Sequence, residues 1–257
     1  MATHPSTIAA GVYSGTVELS RRLALAREPQ PDDARQPRIG KLIAELVWIA
    51  EPIARAFRKI EVTPATEPRV IMLIPGFGAH PSRMRYLASF LEKAGHKVKR
   101  WGLGFNFGAT ADKFDKMESR LIAVHQRYGN RPVTLVGWSL GGVFARELAK
   151  MHPEMVDKVI TLGSPFSGHP KANNGWRAYH LIAGHHVENP PIDCEVSVKP
   201  PVETVAMWSP RDGVVAPRCA SGRPGERDRT VALRCTHMGL IHAKGAIEAI
   251  LSELDTH

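Results

Sequence analysis

The alternation of apolar and polar positions divides the chain into two parts. From residue 69 onward, short continuous apolar runs alternate with longer stretches whose apolar residues recur at helical spacing. Arg69-Val70-Ile71-Met72-Leu73-Ile74 is such a run, of the kind buried on both faces of a parallel sheet. The same reading predicts strands over 97–101, 133–138, 156–162, 204–208 and 230–235, and helices over 82–94, 111–128, 140–151 and 240–254. Gly95 caps the first of these helices and Gly129-Asn130 ends the second. Strands separated by helices predict an α/β fold: a mostly parallel, doubly wound sheet of about six strands.

The part before it, residues 1–63, reads as a helical N-terminal extension. Ile8 to Arg27 and Ile39 to Lys59 carry helical patterns, parted by the breaker Pro29-Gln30-Pro31-Asp32-Asp33. In the second pattern Leu42, Ile43, Leu46, Val47, Ile49 and Ile53 fall near one face. That face is expected to pack on the main domain or on a second copy of the chain, so a homo-oligomer through the N-terminal helices stays open. Arg55, Arg58 and Lys59 at the end of the pattern also suit a helix lying on a membrane surface, although cations there compensate a helix dipole in any case. Pro64 to Pro68 reads as a linker to a main unit at 69–257. Within that unit the stretch 165–203 is rich in Pro, His, Asn and Gly, with one helix near Gly175 to Ile182. It begins directly after a strand, on the side where open α/β sheets bind ligands, and is read as a cap or lid insertion.

Composition narrows the class. The chain has 257 residues, 43% hydrophobic and 23% charged, enough to bury a sizeable core. No apolar run reaches about 18 residues, and Met1-Ala2-Thr3-His4-Pro5 lacks the basic-then-apolar pattern of a secretory signal, so a cytoplasmic protein, at most peripheral to a membrane, is expected. The net charge of +9 is dispersed rather than gathered into a nucleic-acid motif, so no nucleic-acid partner is expected. Three cysteines, Cys194, Cys219 and Cys235, suit free thiols, with a Cys219–Cys235 bridge left open. Their spacing fits no zinc site, and neither a metal nor another cofactor is called for.

The chemistry centres on Gly137-Trp138-Ser139-Leu140-Gly141. It joins a predicted strand to a predicted helix, the setting in which Gly-x-Ser-x-Gly lifts a serine hydroxyl to the top of a sheet. A serine needs a base and an orienting acid, and in this architecture the chain order is serine, acid, histidine. Asp212 follows the fifth strand and His237 the last. Asp157 starts its strand on the wrong edge, Asp193 falls inside the cap, Asp228 precedes a strand, and His242 falls a turn inside the terminal helix. The catalytic candidates are therefore Ser139, Asp212 and His237. The backbone N–H groups of Leu140 and of Phe77, in Pro75-Gly76-Phe77-Gly78-Ala79, are the candidate oxyanion donors. Phe77, Trp138 and Phe166 are candidate substrate-binding residues. Phe105, Phe107 and Trp176 suit a pocket or a core equally.

These stretches resemble the α/β-hydrolase superfamily, and more narrowly an esterase/lipase-like group of bacterial serine hydrolases. The resemblance rests on Ile74-Pro75-Gly76-Phe77, Arg100-Trp101-Gly102-Leu103-Gly104, the serine pentapeptide, Thr161-Leu162-Gly163-Ser164-Pro165-Phe166, Asp212-Gly213-Val214-Val215 and Thr236-His237-Met238-Gly239-Leu240, in that order. It covers residues 69 to 254 and leaves 1–60 outside, where helical sequence replaces two sheet strands of larger members. Many lipases carry His-Gly where this chain has Pro75-Gly76, which puts a triacylglycerol lipase in doubt. The resemblance implies cleavage of a small-molecule or lipid-like carboxylic ester through an acyl-enzyme. Acyl transfer by the same three residues, and a non-catalytic binding protein on the scaffold, are the alternatives.

Overall fold

A computed structural model describes residues 5–51, 53, 58–191 and 194–256, with side chains from residue 16 onward. Arg55 and Asp193 lie outside the described residues. Six strands form one sheet: β1 (Val70–Ile74), β2 (Lys97–Arg100), β3 (Val133–Trp138), β4 (Val156–Leu162), β5 (Glu203–Trp208) and β6 (Arg229–Ala232). Their order across the sheet is β2-β1-β3-β4-β5-β6, and every neighbouring pair is parallel.

Period-two alternation splits the central strands between two cores. Ile71 and Leu73 of β1 join Val136 and Trp138 of β3 on one face. There they meet Leu87 and Leu91 of a helix over Arg85–Lys93 and Ile247 and Ile250 of a helix over Lys244–Leu254. Val70, Met72 and Ile74 point the other way with Val133 and Leu135. They meet Phe114 and Leu121 of a helix over Ala111–Arg127, and Phe144 and Leu148 of one over Leu140–Met151. Parallel strands buried on both faces need helices on both sides, so the sheet is doubly wound. The edges are polar: β2 is Lys-Val-Lys-Arg and β6 opens with Arg229, which discourages further strand pairing.

The helices are labelled in chain order: α1 (Pro5–Ala26), α2 (Ile39–Ala44), α3 (Arg85–Lys93), α4 (Ala111–Arg127), α5 (Leu140–Met151), α6 (Trp176–Ala183), α7 (Pro217–Ser221) and α8 (Lys244–Leu254). Among the described residues no helix is long and apolar enough to cross a membrane. The cap segment carries α6, and the N-terminal extension is strapped across it. Arg21 Nη2 and Arg22 Nη1 donate to the carbonyls of Gly184 and Ile182, at 2.8 and 2.7 Å. Farther along, Gln30 Oε1 accepts from Trp176 Nε1 (2.8 Å), and Glu28 pairs with Lys171 (2.9 Å) and His186 (2.7 Å). The first part of the extension thus packs on the cap segment of its own chain.

Two expectations fail. The helix expected from Ile39 to Lys59 is α2 followed by a 3-10 segment, Glu45–Ala50. Its polarity is also reversed. The apolar residues Ile39, Ile43, Leu46, Val47, Ile49 and Ile53 are exposed, whereas Glu45 and Glu51 are buried. The cause is hydrogen bonding: inward-facing backbone amides and an arginine claim those two carboxylates, with Arg58 Nη1 at 2.6 Å from Glu51 Oε1. The terminal helix expected from Leu240 is likewise broken, into a 3-10 turn, Met238–Ile241, and α8. The N–H groups of His242 and Ala243 both go to the Gly239 carbonyl, and Ala243 turns extended before α8 begins. His242 therefore stands at the break, buried, 3.2 Å from Glu51, and not inside the helix.

Candidate active site

Ser139 stands at the step from β3 into α5 with φ 55° and ψ −125°, in the left-handed half of backbone space that a side chain avoids. The surroundings hold it there. Its N–H donates to the Leu162 carbonyl of β4 at 2.8 Å, and its own carbonyl accepts from Gly142 N–H at 3.0 Å. A Cβ on Gly141 would overlap the Ile74 carbonyl, and one on Gly76 would lie 3.0 Å from the Ser139 Cβ. Those two glycines let the loop after β1 close on the elbow.

Asp212 follows β5 and is almost fully buried. Its Oδ1 accepts the N–H groups of Val214 and Val215, each at 2.8 Å, and its Oδ2 lies 2.7 Å from His237 Nδ1. One oxygen anchors the carboxylate to its own loop; the other is left for the imidazole. His237 follows β6, its carbonyl accepts from Trp138 Nε1 at 3.2 Å, and its ring lies 5.6 Å from the Trp138 ring. Burial alone would push this imidazole down, but the charge and hydrogen bond of Asp212, with the charge of Glu45, outweigh it and raise its pKa.

Ser139 and His237 open onto one cavity of about 210 Å³. Gly76, Phe77, Trp138 and Leu140 line it from the sheet side, and Asn173, Trp176, Tyr179 and Val187 from the cap. Burial lifts the Tyr179 hydroxyl to about 12, so it stays protonated, and it accepts from the Ala109 N–H at 3.3 Å. Among the described residues the lining offers no lysine or arginine for an anionic group.

The two proposed oxyanion donors border this space. Leu140 opens α5, where a first-turn N–H lacks an intrahelical acceptor. The loop carrying Phe77 is fixed by its neighbours: Gly78 N–H donates to the Asn106 carbonyl (2.7 Å), and the Asn106 side chain donates to the Pro75 carbonyl (2.8 Å). Phe166 corrects the sequence reading. It is fully buried, with the Arg146 guanidinium 4.2 Å over its ring, and its neighbour Pro165 lines the cavity instead. A side chain three residues beyond the left-handed Gly163 turns under the cap toward α5, not into the opening. Of the remaining aromatics, Trp176 lines the cavity, while Phe105 and Phe107 are half exposed and stack on each other at 5.5 Å. None of the three cysteines is in a disulfide; burial holds Cys235 up at about 12.

Sequence reasoning missed Asn106 and Glu45. Asn106 gives no signal within Phe105-Asn106-Phe107. Glu45 does give one, as a lone acid inside the apolar run Leu42-Ile43-Ala44-Glu45-Leu46-Val47.

Comparisons with known proteins agree with this architecture. Residues 69–181 match the family model of the alpha/beta hydrolase fold. A pimeloyl-[acyl-carrier protein] methyl ester esterase of Aliivibrio fischeri is 30% identical over 116 residues, 45% of this chain and 43% of that protein. A biotin biosynthesis bifunctional protein of Teredinibacter turnerae is 28% identical over 120 residues, 44% of this chain and 20% of that protein. The chain thus matches less than half the length of these curated relatives. Among solved structures, a lipase-esterase related protein from Clostridium acetobutylicum superposes with TM-score 0.55 at 13% identity, over 75% of this chain and 96% of that one. An alpha/beta hydrolase from a lagoon-sediment metagenome gives 0.52 at 20% identity, over 73% and 90%. At such identities the structural likeness speaks for the fold. With six parallel strands in this order, a serine elbow after β3 and a family match over residues 69–181, the chain has the α/β-hydrolase fold.

Proposed function

We propose that the protein is a serine hydrolase of carboxylic esters, with Ser139 as nucleophile, His237 as base and Asp212 as its orienting acid. The observation that carries this reading is the 2.7 Å contact between Asp212 Oδ2 and His237 Nδ1 at the mouth of the cavity that Ser139 opens onto. With Nδ1 engaged, Nε2 is the nitrogen free to take the serine proton. The serine oxygen then bonds to the ester carbonyl carbon, and the carbonyl electron pair moves to oxygen. That oxyanion is received by the N–H groups of Phe77 and Leu140. Collapse breaks the ester C–O bond, His237 gives its proton to the departing alkoxide, and the acyl group stays on Ser139. Water enters by the same steps in reverse order and releases the acid.

The lining favours an uncharged, apolar acyl group, since Phe77, Trp138, Trp176, Val187 and Val214 surround the serine, with no lysine or arginine among the described lining residues. Two curated relatives named as pimeloyl-[acyl-carrier protein] methyl ester esterases, both of Aliivibrio fischeri, support an ester as the bond cleaved. The test is labelling by a fluorophosphonate probe beside turnover of p-nitrophenyl butyrate. Both are expected in the wild-type protein, and absence of labelling would overturn the proposal.

The raised pKa of His237 sets the acid limb. The base works only as neutral imidazole, so activity is lost as pH falls through its pKa. Because that pKa is raised, half-maximal kcat/KM is expected above 6.5, the ordinary histidine value. A profile of p-nitrophenyl butyrate hydrolysis with its midpoint below that value would contradict the electrostatics described.

A further inference from the structure

Glu45 lies far from the serine in sequence and belongs to no part of the proposed chemistry, yet it is buried beside it, 5% exposed. Its Oε1 accepts the N–H of Gly213 at 2.9 Å and the N–H of His237 at 2.7 Å; its Oε2 accepts the N–H of Met238 at 2.9 Å. Gly213 follows Asp212 directly, and Met238 follows His237. One carboxylate therefore bridges the two loops that carry the acid and the base. Among the described residues no lysine or arginine pairs with it. A buried carboxylate without a counter-ion is costly unless donors surround it, and here all three donors are amides of those loops. The adjoining turn of the same segment reinforces the bridge. Lys41 Nζ donates to the Pro210 carbonyl at 2.7 Å, and the Lys41 carbonyl packs so closely on Gly213 that a Cβ there would overlap it.

We infer that Glu45 is a positioning residue, which fixes the loop of His237 against the loop of Asp212 and places a second negative charge beside the imidazole. The inference deepens the ester-hydrolase reading and rests on it for its effect on rate. Without the bridge, the two loops are joined by the Asp212–His237 contact and by the Ser209 hydroxyl, which donates to the Cys235 carbonyl. With it, the contact is preformed, so the imidazole reaches the serine proton in one orientation. The charge favours the imidazolium that forms when His237 takes that proton. The ionisable groups acting on His237 are Asp212 and Glu45. Nearby Cys235 is held neutral by burial and by the charges of Asp212 and Glu45, against the opposing charge of Arg211, and behind the Met238–Ile241 turn Glu51 and Arg58 pair with each other beside His242.

The experiment follows His237 by proton NMR in the full-length protein, assigned with a His237→Asn variant, and measures p-nitrophenyl butyrate kinetics. Glu45→Gln keeps an accepting oxygen but removes the charge; Glu45→Ala removes both. The His237 titration midpoint is expected to move to lower pH in both variants, and the downfield Nδ1–H resonance to broaden in the alanine variant. With alanine kcat should fall about 10- to 100-fold, KM staying within about twofold, and glutamine should recover part of the loss. A folded glutamine variant with the wild-type titration and wild-type kcat overturns the inference, whatever the alanine variant does. A shifted titration in a protein whose Ser139 never labels would reject the ester-hydrolase reading while supporting the placement of Glu45.

Discussion

Replacing Ser139 with alanine is expected to lower ester hydrolysis by about 10⁵- to 10⁶-fold, to a residue set by binding and the oxyanion donors alone. Among the described residues that line the cavity, no other group is placed to take over the attack. The cysteine nearest in sequence to His237, Cys235, is held protonated by burial and does not line the cavity. The Tyr179 hydroxyl, on the far wall, is likewise held protonated. The change should leave the fold intact or improve it, because alanine relieves no hydrogen bond of the backbone, whose N–H to Leu162 and carbonyl to Gly142 persist. The measurement is kcat for p-nitrophenyl butyrate together with loss of fluorophosphonate labelling and an unchanged melting temperature. A loss below about 100-fold would mean that another group attacks the ester.

Asp212→Asn should cost about 10⁴-fold in kcat. The reason is the arrangement of donors. Asp212 Oδ1 already takes two N–H groups, from Val214 and Val215, so an asparagine will keep its oxygen there. Its NH₂ must then face His237 Nδ1 and donate to it. That reverses the tautomer, puts the ring proton on Nε2, and leaves the imidazole unable to accept from Ser139. The same change removes the charge that raises His237, so the acid limb should also move to lower pH. A variant retaining more than about a tenth of wild-type kcat would show that the imidazole is oriented by something other than this carboxylate.

The parts of the molecule legible in the sequence are those where local and global demands coincide. β1 is a continuous apolar run and β3 and β4 are largely apolar because both faces of the sheet are covered, and each begins and ends within a residue of its expected place. The elbow is legible because its glycines answer a backbone clash that the fold creates. Asp212 and His237 are found by position alone, each just past a strand on the edge where β3 delivers Ser139.

The rest was hidden because long-range partners override local pattern. The stripe of Leu42, Ile43, Leu46 and Val47 predicts an apolar face turned inward, and no reading of neighbours reveals that three amides about 170 to 190 residues away claim Glu45 instead. Phe166 is apolar and follows the right strand, yet Arg146 of α5 takes its ring under the cap. Both misreadings concern which of two buried environments a side chain enters, a choice settled by tertiary packing.

The bridge made by Glu45 also bears on how the protein is assembled in time. Glu45 is 168 residues ahead of Gly213 and 192 ahead of His237. At ribosomal speeds it waits roughly 10–40 s for the amides it will bind. The segment around it therefore leaves the ribosome with its carboxylate unmatched and with Ile39, Ile43, Leu46, Val47 and Ile49 in water, which is where they remain in the finished fold. Apolar side chains that never enter the core cannot draw the segment into an early collapse. Its docking is left to hydrogen bonds of Lys41 and Glu45 whose partners, from Pro210 to Met238, appear late, so this corner of the site closes only after the sheet that supports it is complete.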